Sequence, residues 1–289
     1  GLGSMVIVLP WHDPMRVAEE ISMLDNMSNG RMILGIGRGL GRVEFEGFGK
    51  DMNASRETFT ESATMILDGL ESGFCEADGK HIKQQRREIR PRPYKSFKGR
   101  TYAAAVSPES SKIMAELGVG ILIIPQKPWE HVEKELNDYR TIYREVNGEE
   151  APAPILGGWT YCDESADRAE EMAYKYIGGY YRSVIEHYEM ASDHLKTTKG
   201  YETYGAMVDH INKNMEDTIR FFMSIQIYGT PKQCLERIQD FTARTGSGAY
   251  NGVFSYGGMP YADVEKSLRL FAKDVLPELR KMPGEPLLR

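Results

Sequence analysis

Short apolar runs alternate along this chain with longer stretches in which apolar residues recur every three to four positions. Runs of four to eight residues rich in β-branched side chains are typical of buried strands, and the wider spacing is typical of amphipathic helices. Because the two patterns alternate, the sequence predicts an α/β fold with a parallel sheet covered by helices. Six strands are predicted, at about Met5–Leu9, Met32–Ile36, Tyr102–Val106, Ile121–Ile124, Ile155–Tyr161 and Val253–Tyr256.

Signals for helix ends support this order. Asp13 supplies an N-cap directly before Pro14, and Asn29-Gly30 stops the helix that follows. The helix after Pro128 places four apolar or aromatic residues on one face, Val132, Leu136, Tyr139 and Tyr143. Further helices are predicted at about Ser55–Leu70, Pro108–Gly118, Ser165–Asp193 (two stretches), Met207–Asn214, from Pro231 onward and at Ala262–Leu279. No repeat or low-complexity linker divides the chain, so residues 1–289 are predicted to form one domain.

Six strands fit two architectures. An eight-stranded (β/α) barrel of the TIM type needs two more βα units than the pattern provides, and an open six-stranded parallel sheet needs none. The sequence also begins inside a strand with no element before it. The pattern alone leaves both architectures open.

Composition narrows the class of protein. The 36 Lys and Arg against 42 Asp and Glu give a formal charge of −6, which disfavours general attraction to nucleic acid or to an anionic membrane. The three cysteines, Cys75, Cys162 and Cys234, are far apart, which disfavours a disulfide scaffold or a structural zinc site. No apolar run reaches the roughly 20 residues that span a bilayer, and the N-terminus lacks the basic region of a signal peptide. A cytoplasmic protein is predicted.

The glycine-rich segment Gly35–Gly41 directly follows the second strand and contains Arg38. Glycines at the end of a strand let a ligand approach the backbone, and arginine offers a planar charged donor for phosphate or carboxylate. A Rossmann fingerprint would need a helix immediately afterwards, and the sequence predicts none there. A glycine-rich corner with a surface arginine fits the same residues equally well.

A second candidate lies at Val106–Ser111, where the third strand meets a helix. Hydroxyl groups and free backbone N–H groups at a helix start suit a phosphate, although an ordinary serine N-cap before Pro108 explains the pattern as well. In a parallel barrel, ligands bind at the carboxyl ends of the strands. Because both candidate segments follow consecutive strands, Arg38 and the serines are predicted to converge on one phosphate.

Other groups are weaker candidates. The six histidines show no spacing typical of metal ligands, so no metal site is predicted, and His12 is interpreted as a loop residue. The basic segment from Lys83 to Arg100 imitates a nucleic-acid patch but is interpreted as a solvated excursion around two prolines. Tyr180-Tyr181, Tyr188 and Met190 fit either an apolar pocket or core packing.

Several segments, taken in order, resemble the luciferase-like flavin-dependent monooxygenases, and the catalytic α subunit of bacterial luciferase is similar along most of its length. The segments that carry the resemblance are Val8–Pro10, Pro14–Glu19, Leu24–Arg31, Gly35–Leu40, Phe45–Gly49, Ser107–Ser110, Lys199–Tyr201, Gly229–Pro231 and Leu270–Pro277. The resemblance implies a TIM-type (β/α)8 barrel with about six of its eight βα units in this chain, and a homodimer or heterodimer. It also implies reduced FMN supplied by a separate reductase, with O2 as co-substrate; some members use a deazaflavin instead.

The resemblance also implies individual cofactor-binding residues. Arg38 matches the phosphate-binding arginine, and Ser107 and Ser110 match the phosphate loop, with Val106 adding backbone contacts. Gly37, Gly39 and Leu40 would lie along the flavin. Met5 and Val6 match a pair joined by a non-proline cis peptide beneath the flavin ring. Arg220 falls in a segment resembling the family's mobile lid, which suggests an anion clamp.

Three departures from the family pattern limit this assignment. The match starts at the family's third strand, so the catalytic histidine at the end of its second strand is expected upstream of this sequence, and the catalytic residues are unknown. Gly37 stands where the luciferase subunit has a cysteine, and no tryptophan occurs near Met207 or Val208. Light emission is therefore not expected.

The predicted function is oxygenation of a small apolar molecule, such as an aldehyde, ketone or terpene-like compound, with reduced FMN and O2. Two alternatives stay open, a deazaflavin-dependent oxidoreductase and a non-catalytic flavin-binding or partner subunit of a luciferase-like heterodimer. A third possibility is that six of eight strands leave two sheet edges open and the chain does not fold alone.

Overall fold

A computed structural model describes residues 1–104 and 108–283 of the chain. Its strands, in chain order, are β1 (Leu2–Gly3), β2 (Ile7–Val8), β3 (Met32–Gly37), β4 (Phe74–Asp78), β5 (Lys83–Glu88), β6 (Thr101–Ala104), β7 (Gly120–Ile123), β8 (Ile155–Cys162), β9 (Ile227–Gly229) and β10 (Ala249–Val253). A parallel sheet follows the path β1-β3-β6-β7-β8-β10, with β2 beside β3 and β9 beside β8. The predicted parallel α/β architecture is confirmed, as a half-barrel.

Helices connect these strands and cover the outer face of the sheet. They are α1 (Pro14–Met27), α2 (Arg42–Gly47), α3 (Ser55–Ser72), α4 (Pro108–Glu116), α5 (Trp129–Asn147), α6 (Ala166–Ala173), α7 (Gly179–His187), α8 (His194–Thr197), α9 (Glu202–Gly205), α10 (Val208–Lys213), α11 (Met215–Ser224), α12 (Pro231–Thr245), α13 (Tyr261–Asp274) and α14 (Leu276–Leu279). The predicted face of α5 is confirmed, since Val132, Leu136, Tyr139 and Tyr143 are all buried. No helix among the described residues combines the length and apolarity that a membrane crossing requires.

The first strand of the sheet is interrupted. β1 and β2 both pair in parallel with β3, and the gap between them contains a cis peptide bond between Met5 and Val6, as the resemblance implied. The Ser4 hydroxyl replaces the missing backbone pairing: it donates to the Gly35 carbonyl at 3.1 Å and accepts from the Gly35 N–H at 3.0 Å. A Cβ atom at Gly35 would lie 1.9 Å from the Ser4 carbonyl oxygen, so only glycine fits there.

A buried ion pair lies where β3 and β6 begin. The Arg100 guanidinium contacts the Asp25 carboxylate of α1 at 2.6 and 2.8 Å. Its remaining three N–H groups donate to three backbone carbonyls, those of Met32, Lys95 and Ser96. All five guanidinium donors therefore have acceptors, which offsets the cost of burying the charge.

Several elements differ from their predictions. The first predicted strand is split into β1 and β2, and a short helix, α2, begins at Arg42 directly after the glycine-rich segment, where none was predicted. The last strand is Ala249–Val253 rather than Val253–Tyr256, because Tyr250 turns inward and its hydroxyl lies 2.5 Å from that of Thr160. β9 was not predicted, because a strand of three residues is too short to show a hydrophobic period. The basic segment begins as β5, which forms an antiparallel hairpin with β4. Its polar sequence gives no strand signal, and backbone pairing holds it in place.

Candidate active-site cleft

A cleft with a cavity volume of about 210 Å³ lies where β2, β3, β6 and β7 end. Ligands of parallel barrels bind at this end of the strands. One part of the lining is polar and includes Arg38, Arg56, Ser110, Gln126 and Thr203. The other part is apolar and includes Val6, Val8, Leu40, Phe59, Ile113, Met114 and Ile124. The cleft therefore offers a charged region beside an apolar one.

Arg38 follows the last residue of β3 and reaches into the charged region. Its Nη1 donates to the Gly200 carbonyl at 2.8 Å, and its Cζ lies 3.9 Å from the centre of the Tyr201 ring. Burial lowers the pKa of the Arg38 guanidinium, and the positive charge of Arg56 lowers it further. Arginine nevertheless stays charged near neutral pH, so the cleft contains a partly desolvated cation.

Arg56, in the first turn of α3, joins Arg38 in the cleft, and the sequence interpretation missed it. Its Nη2 donates to the same Gly200 carbonyl at 3.1 Å, and its Nη1 pairs with the carboxylate of Glu109. One signal was present in the sequence. The first turn of a helix favours acidic side chains, so an arginine there is unusual and hints at another role.

Helix α4 provides the third side of the charged region. Ser110 lies in its first turn and lines the same cleft as Arg38. Backbone N–H groups and the helix dipole make such a terminus attractive to anions. Two other predicted residues of this loop, Val106 and Ser107, lie outside the described residues.

The glycines after β3 form a thin wall of the cleft. Gly37, Gly39 and the adjacent Leu40 all line it. A Cβ atom at Gly37 would lie 2.6 Å from Cγ2 of Val6, so a side chain there would collide with the neighbouring strand segment. Gly39 has a φ of +87°, which disfavours other residue types. Val6 lines the cleft as well, whereas Met5 is 39% exposed and does not.

Two tyrosines close the far side of the cleft. Burial raises the pKa of Tyr204 to about 12 and raises the pKa of Tyr188 in the same direction. Both phenols are therefore protonated and neutral at physiological pH. They can donate hydrogen bonds without adding negative charge near the arginines.

Two further residues considered from sequence lie away from the cleft. Arg220 is exposed on α11, with its Cζ 5.3 Å from the Tyr174 ring centre, so the predicted anion clamp is not found at the cleft. His12 is exposed just before α1 and is not part of the lining, in agreement with its interpretation as a loop residue.

The fold and cleft together define a class of protein: a parallel α/β fold of the barrel type with a cleft, lined by charged and apolar residues, at the carboxyl ends of its strands. Comparison with known proteins specifies the class further. The profile of the family described as luciferase-like monooxygenase matches residues 1–248. The chain is 30% identical over 289 residues to the alkanal monooxygenase alpha chain of Photorhabdus luminescens, an alignment that covers 97% of this chain and 79% of that protein.

Solved structures agree with this fold. Monooxygenase RslO1 from Streptomyces bottropensis superposes with a TM-score of 0.74 at 22% identity, covering 96% of this chain and 78% of that one. The oxygenating constituent of 3,6-diketocamphane monooxygenase from Pseudomonas putida, in complex with FMN, gives 0.65 at 17% identity, covering 96% and 79%. The coenzyme F420-dependent tetrahydromethanopterin reductase of Methanopyrus kandleri gives 0.65 at 22%, covering 96% and 82%. The chain belongs to the luciferase-like monooxygenase family.

Proposed function

We propose that this protein is an FMN-dependent monooxygenase that uses O2 and reduced FMN, delivered by a separate reductase, to oxygenate a small apolar molecule. One observation carries the proposal: Arg38, Arg56 and Ser110 line the same cleft as a set of apolar side chains. FMN is a dianionic phosphate joined to a large flat ring, so it matches both parts of the cleft.

The charged region suits a phosphate monoester. Two guanidinium groups meet at the Gly200 carbonyl, with donor distances of 2.8 and 3.1 Å. Arg38 and Arg56, the latter paired with Glu109, leave a net positive charge beside a helix N-terminus, which favours a phosphate. We assign Arg38, Arg56 and Ser110 to the phosphate, and assign Ser107 and the backbone of Val106 to it on the family resemblance.

The glycine wall suits the flat ring. Gly37 and Gly39 leave room where a side chain would collide with Val6 or Val8, and Leu40 adds an apolar surface. We assign these residues, with the Met5-Val6 peptide, to contact with the ring. Apolar neighbours such as Phe59, Ile113 and Met114 exclude water from this region, which protects reactive oxygen chemistry from side reactions.

The bound flavin would supply the redox chemistry, namely the activation of O2. The chain itself would position the flavin, exclude water from the cleft and supply neutral phenol donors at Tyr188 and Tyr204. The apolar lining favours substrates such as aldehydes, ketones or terpene-like molecules. We further propose that residues 1–289 form one domain, that the protein acts in the cytoplasm, as its three free cysteines suggest, and that it works as a homodimer or heterodimer.

The test is an anaerobic titration with reduced FMN and with reduced riboflavin, which lacks the phosphate. Arg38→Ala should raise the Kd for FMN by about 10- to 100-fold, the loss expected for charged hydrogen bonds, and leave riboflavin binding unchanged. Arg269→Ala, which removes an exposed arginine of α13, is the matched control. Equal binding of FMN and riboflavin by the unchanged protein would refute the proposal.

The F420-dependent reductase among the structural neighbours makes a deazaflavin-dependent oxidoreductase the second candidate. Titration with F420 beside FMN separates the two, since the better cofactor binds more tightly and supports turnover. The name alpha chain implies a second chain type in those relatives, so the third candidate is a non-catalytic flavin-binding or partner subunit of a heterodimer. Oxygen uptake coupled to substrate product, with NADH, FMN and a reductase, would exclude it.

A further inference from the structure

Tyr201 lies directly behind the charged region without lining the cleft. Its side chain is 1% exposed. The ring centre lies 3.9 Å from Cζ of Arg38, and the hydroxyl donates to the Gly39 carbonyl at 2.8 Å. The same hydroxyl lies 3.1 Å from the Ser55 hydroxyl. One side chain thus contacts the arginine, the glycine loop and the start of α3.

The backbone that carries Tyr201 is itself fixed to α3. Lys199 is held twice: its N–H donates to the side chain of Asn53 at 3.1 Å, and its Nζ lies 2.8 Å from the Glu57 carboxylate. The Gly200 carbonyl accepts from Arg56 at 3.1 Å. Three consecutive residues are therefore attached to the region where α3 begins, which restrains the Tyr201 ring.

Arg38 depends on such a support. Arginine has five N–H donors, and within residues 1–104 and 108–283 Arg38 makes one hydrogen bond, to Gly200. One bond leaves a long, flexible side chain free to rotate about it. Stacking on an aromatic face restricts the plane of the guanidinium, so the ring of Tyr201 determines where the remaining donors point.

We propose that Tyr201 is a positioning residue for the phosphate site, with two separable actions. Its ring orients the Arg38 guanidinium, and its hydroxyl fixes the loop of residues 37–40 through the Gly39 carbonyl. The inference rests on the proposed function in so far as the phosphate belongs to a flavin. The positioning of the loop is independent of that identity.

A purely structural role is the competing explanation. Tyr201 also packs in a small apolar cluster with Phe45, Met52, Leu195 and Val208. The chain offers a matched control at Tyr139, which is equally buried and donates its hydroxyl to the Val119 carbonyl at 2.7 Å, away from the cleft. Tyr139→Phe and Tyr201→Phe remove the same kind of hydrogen bond from two different places.

The experiment measures the Kd for reduced FMN and for reduced riboflavin in Tyr201→Phe, Tyr201→Leu and Tyr139→Phe. Tyr201→Phe keeps the ring and should weaken FMN binding by about 5-fold, the effect of one neutral hydrogen bond. Tyr201→Leu removes the ring as well and should weaken it by about 30-fold or more. Riboflavin binding should stay within about 2-fold in Tyr139→Phe. In Tyr201→Phe it should weaken by at most as much as FMN binding, since the loop of residues 37–40 also contacts the ring. In Tyr201→Leu it should weaken clearly less than FMN binding, because the additional loss acts on Arg38 and the phosphate.

A second measurement does not use a flavin. Hydrogen exchange of the amides of residues 37–40 in the ligand-free protein should be faster in both Tyr201 variants and unchanged in Tyr139→Phe. Unchanged exchange in Tyr201→Phe, or equal weakening of FMN and riboflavin binding in Tyr201→Leu, would overturn the positioning role. If Tyr201→Leu does not fold, Tyr201→Phe alone decides. If the unchanged protein does not prefer FMN to riboflavin, the proposed function fails, and the exchange measurement still decides the role of Tyr201.

Discussion

Two arginines at opposite ends of the same pair of strands show how similar surroundings produce different roles. Arg100 lies where β3 and β6 begin, and Arg38 lies just beyond the end of β3. Each guanidinium stacks on an aromatic ring, with Cζ 3.8 Å from the Phe97 ring centre and 3.9 Å from the Tyr201 ring centre, respectively. The difference lies in their hydrogen bonds.

All five guanidinium donors of Arg100 bind acceptors inside the protein, and two of them bind the carboxylate of Asp25. Among the residues that the structure describes, Arg38 uses one donor, which binds a neutral carbonyl. A saturated guanidinium can only hold the fold together. An unsaturated one, held flat beside a cavity, can bind an external anion. Saturation of donors distinguishes Arg100, which has a structural role, from Arg38, which we propose binds a ligand.

The largest expected effect is on the free energy of unfolding and comes from Arg100, whose donors are all used. Arg100→Leu leaves the buried Asp25 carboxylate without its partner, so the free energy of unfolding should fall by about 3–5 kcal/mol. Denaturation with urea measures it. Arg38→Leu, which replaces the same residue type at the other end, is the control and should change the unfolding free energy by less than about 1 kcal/mol. Similar losses in both variants would contradict the comparison.

The second largest effect is expected on the affinity for reduced FMN rather than on stability. Arg56→Leu should weaken reduced FMN by about 10-fold, because one charged donor is lost and Arg38 remains. Arg237→Leu, on α12, is a suitable control, since its guanidinium caps the Gln226 carbonyl at 2.9 Å away from the cleft. Calorimetry or flavin fluorescence reports the Kd. Unchanged FMN affinity in Arg56→Leu would remove this residue from the phosphate site.

Acid should weaken the ion pair between Asp25 and Arg100. Burial disfavours the charged form of Asp25, but the hydrogen bonds and the charge of Arg100 outweigh it and hold the pKa of Asp25 below its usual value. The stabilisation is therefore complete above the unfolded pKa of roughly 3.9 and is lost as the pH falls through the lower folded pKa. Unfolding free energies between pH 6 and pH 3 should fall less steeply below pH 4 in Asp25→Asn than in the unchanged protein. Parallel curves would argue against the pair as the source.

The smallest expected effect lies at Glu57. Hydrogen bonds from Lys199, Lys80 and His81 hold the pKa of Glu57 far below its usual value, but the group is exposed to solvent. Exposed pairs contribute little to global stability. Glu57→Gln should leave the urea midpoint unchanged while hydrogen exchange quickens in residues 79–82 and 198–201. A clear shift of the midpoint would show that this cluster matters more than its exposure suggests.

Local signals in the sequence were sufficient for part of this picture. Arg38 follows a strand of apolar residues and glycines, so its place at the carboxyl end of the sheet was predictable. The apolar face of α5 follows from spacing alone. The Met5-Val6 cis peptide was predictable only through the family resemblance, because no rule of composition requires it.

Contacts between distant residues explain what could not be predicted. Arg56 meets Gly200, 144 residues further along the chain, and nothing near Arg56 indicates that partner. The position of β10 depends on Tyr250 turning toward Thr160, 90 residues away. The hairpin of β4 and β5 is held by backbone pairing and by the Glu61 carboxylate, which accepts the N–H groups of Lys80, His81 and Ile82. Such contacts between distant residues produce no periodic pattern in the sequence.

The close contact at Gly35 constrains any attempt to remodel this protein by mutagenesis. A single methyl group at that position would overlap the Ser4 carbonyl and push the N-terminal segment off β3. The hydrogen-bonding edge of β3 would then be open to pairing with other chains, a known route to aggregation. Libraries that diversify the cleft should leave residue 35 as glycine, even though it lies outside the lining and would not attract notice in a search for activity.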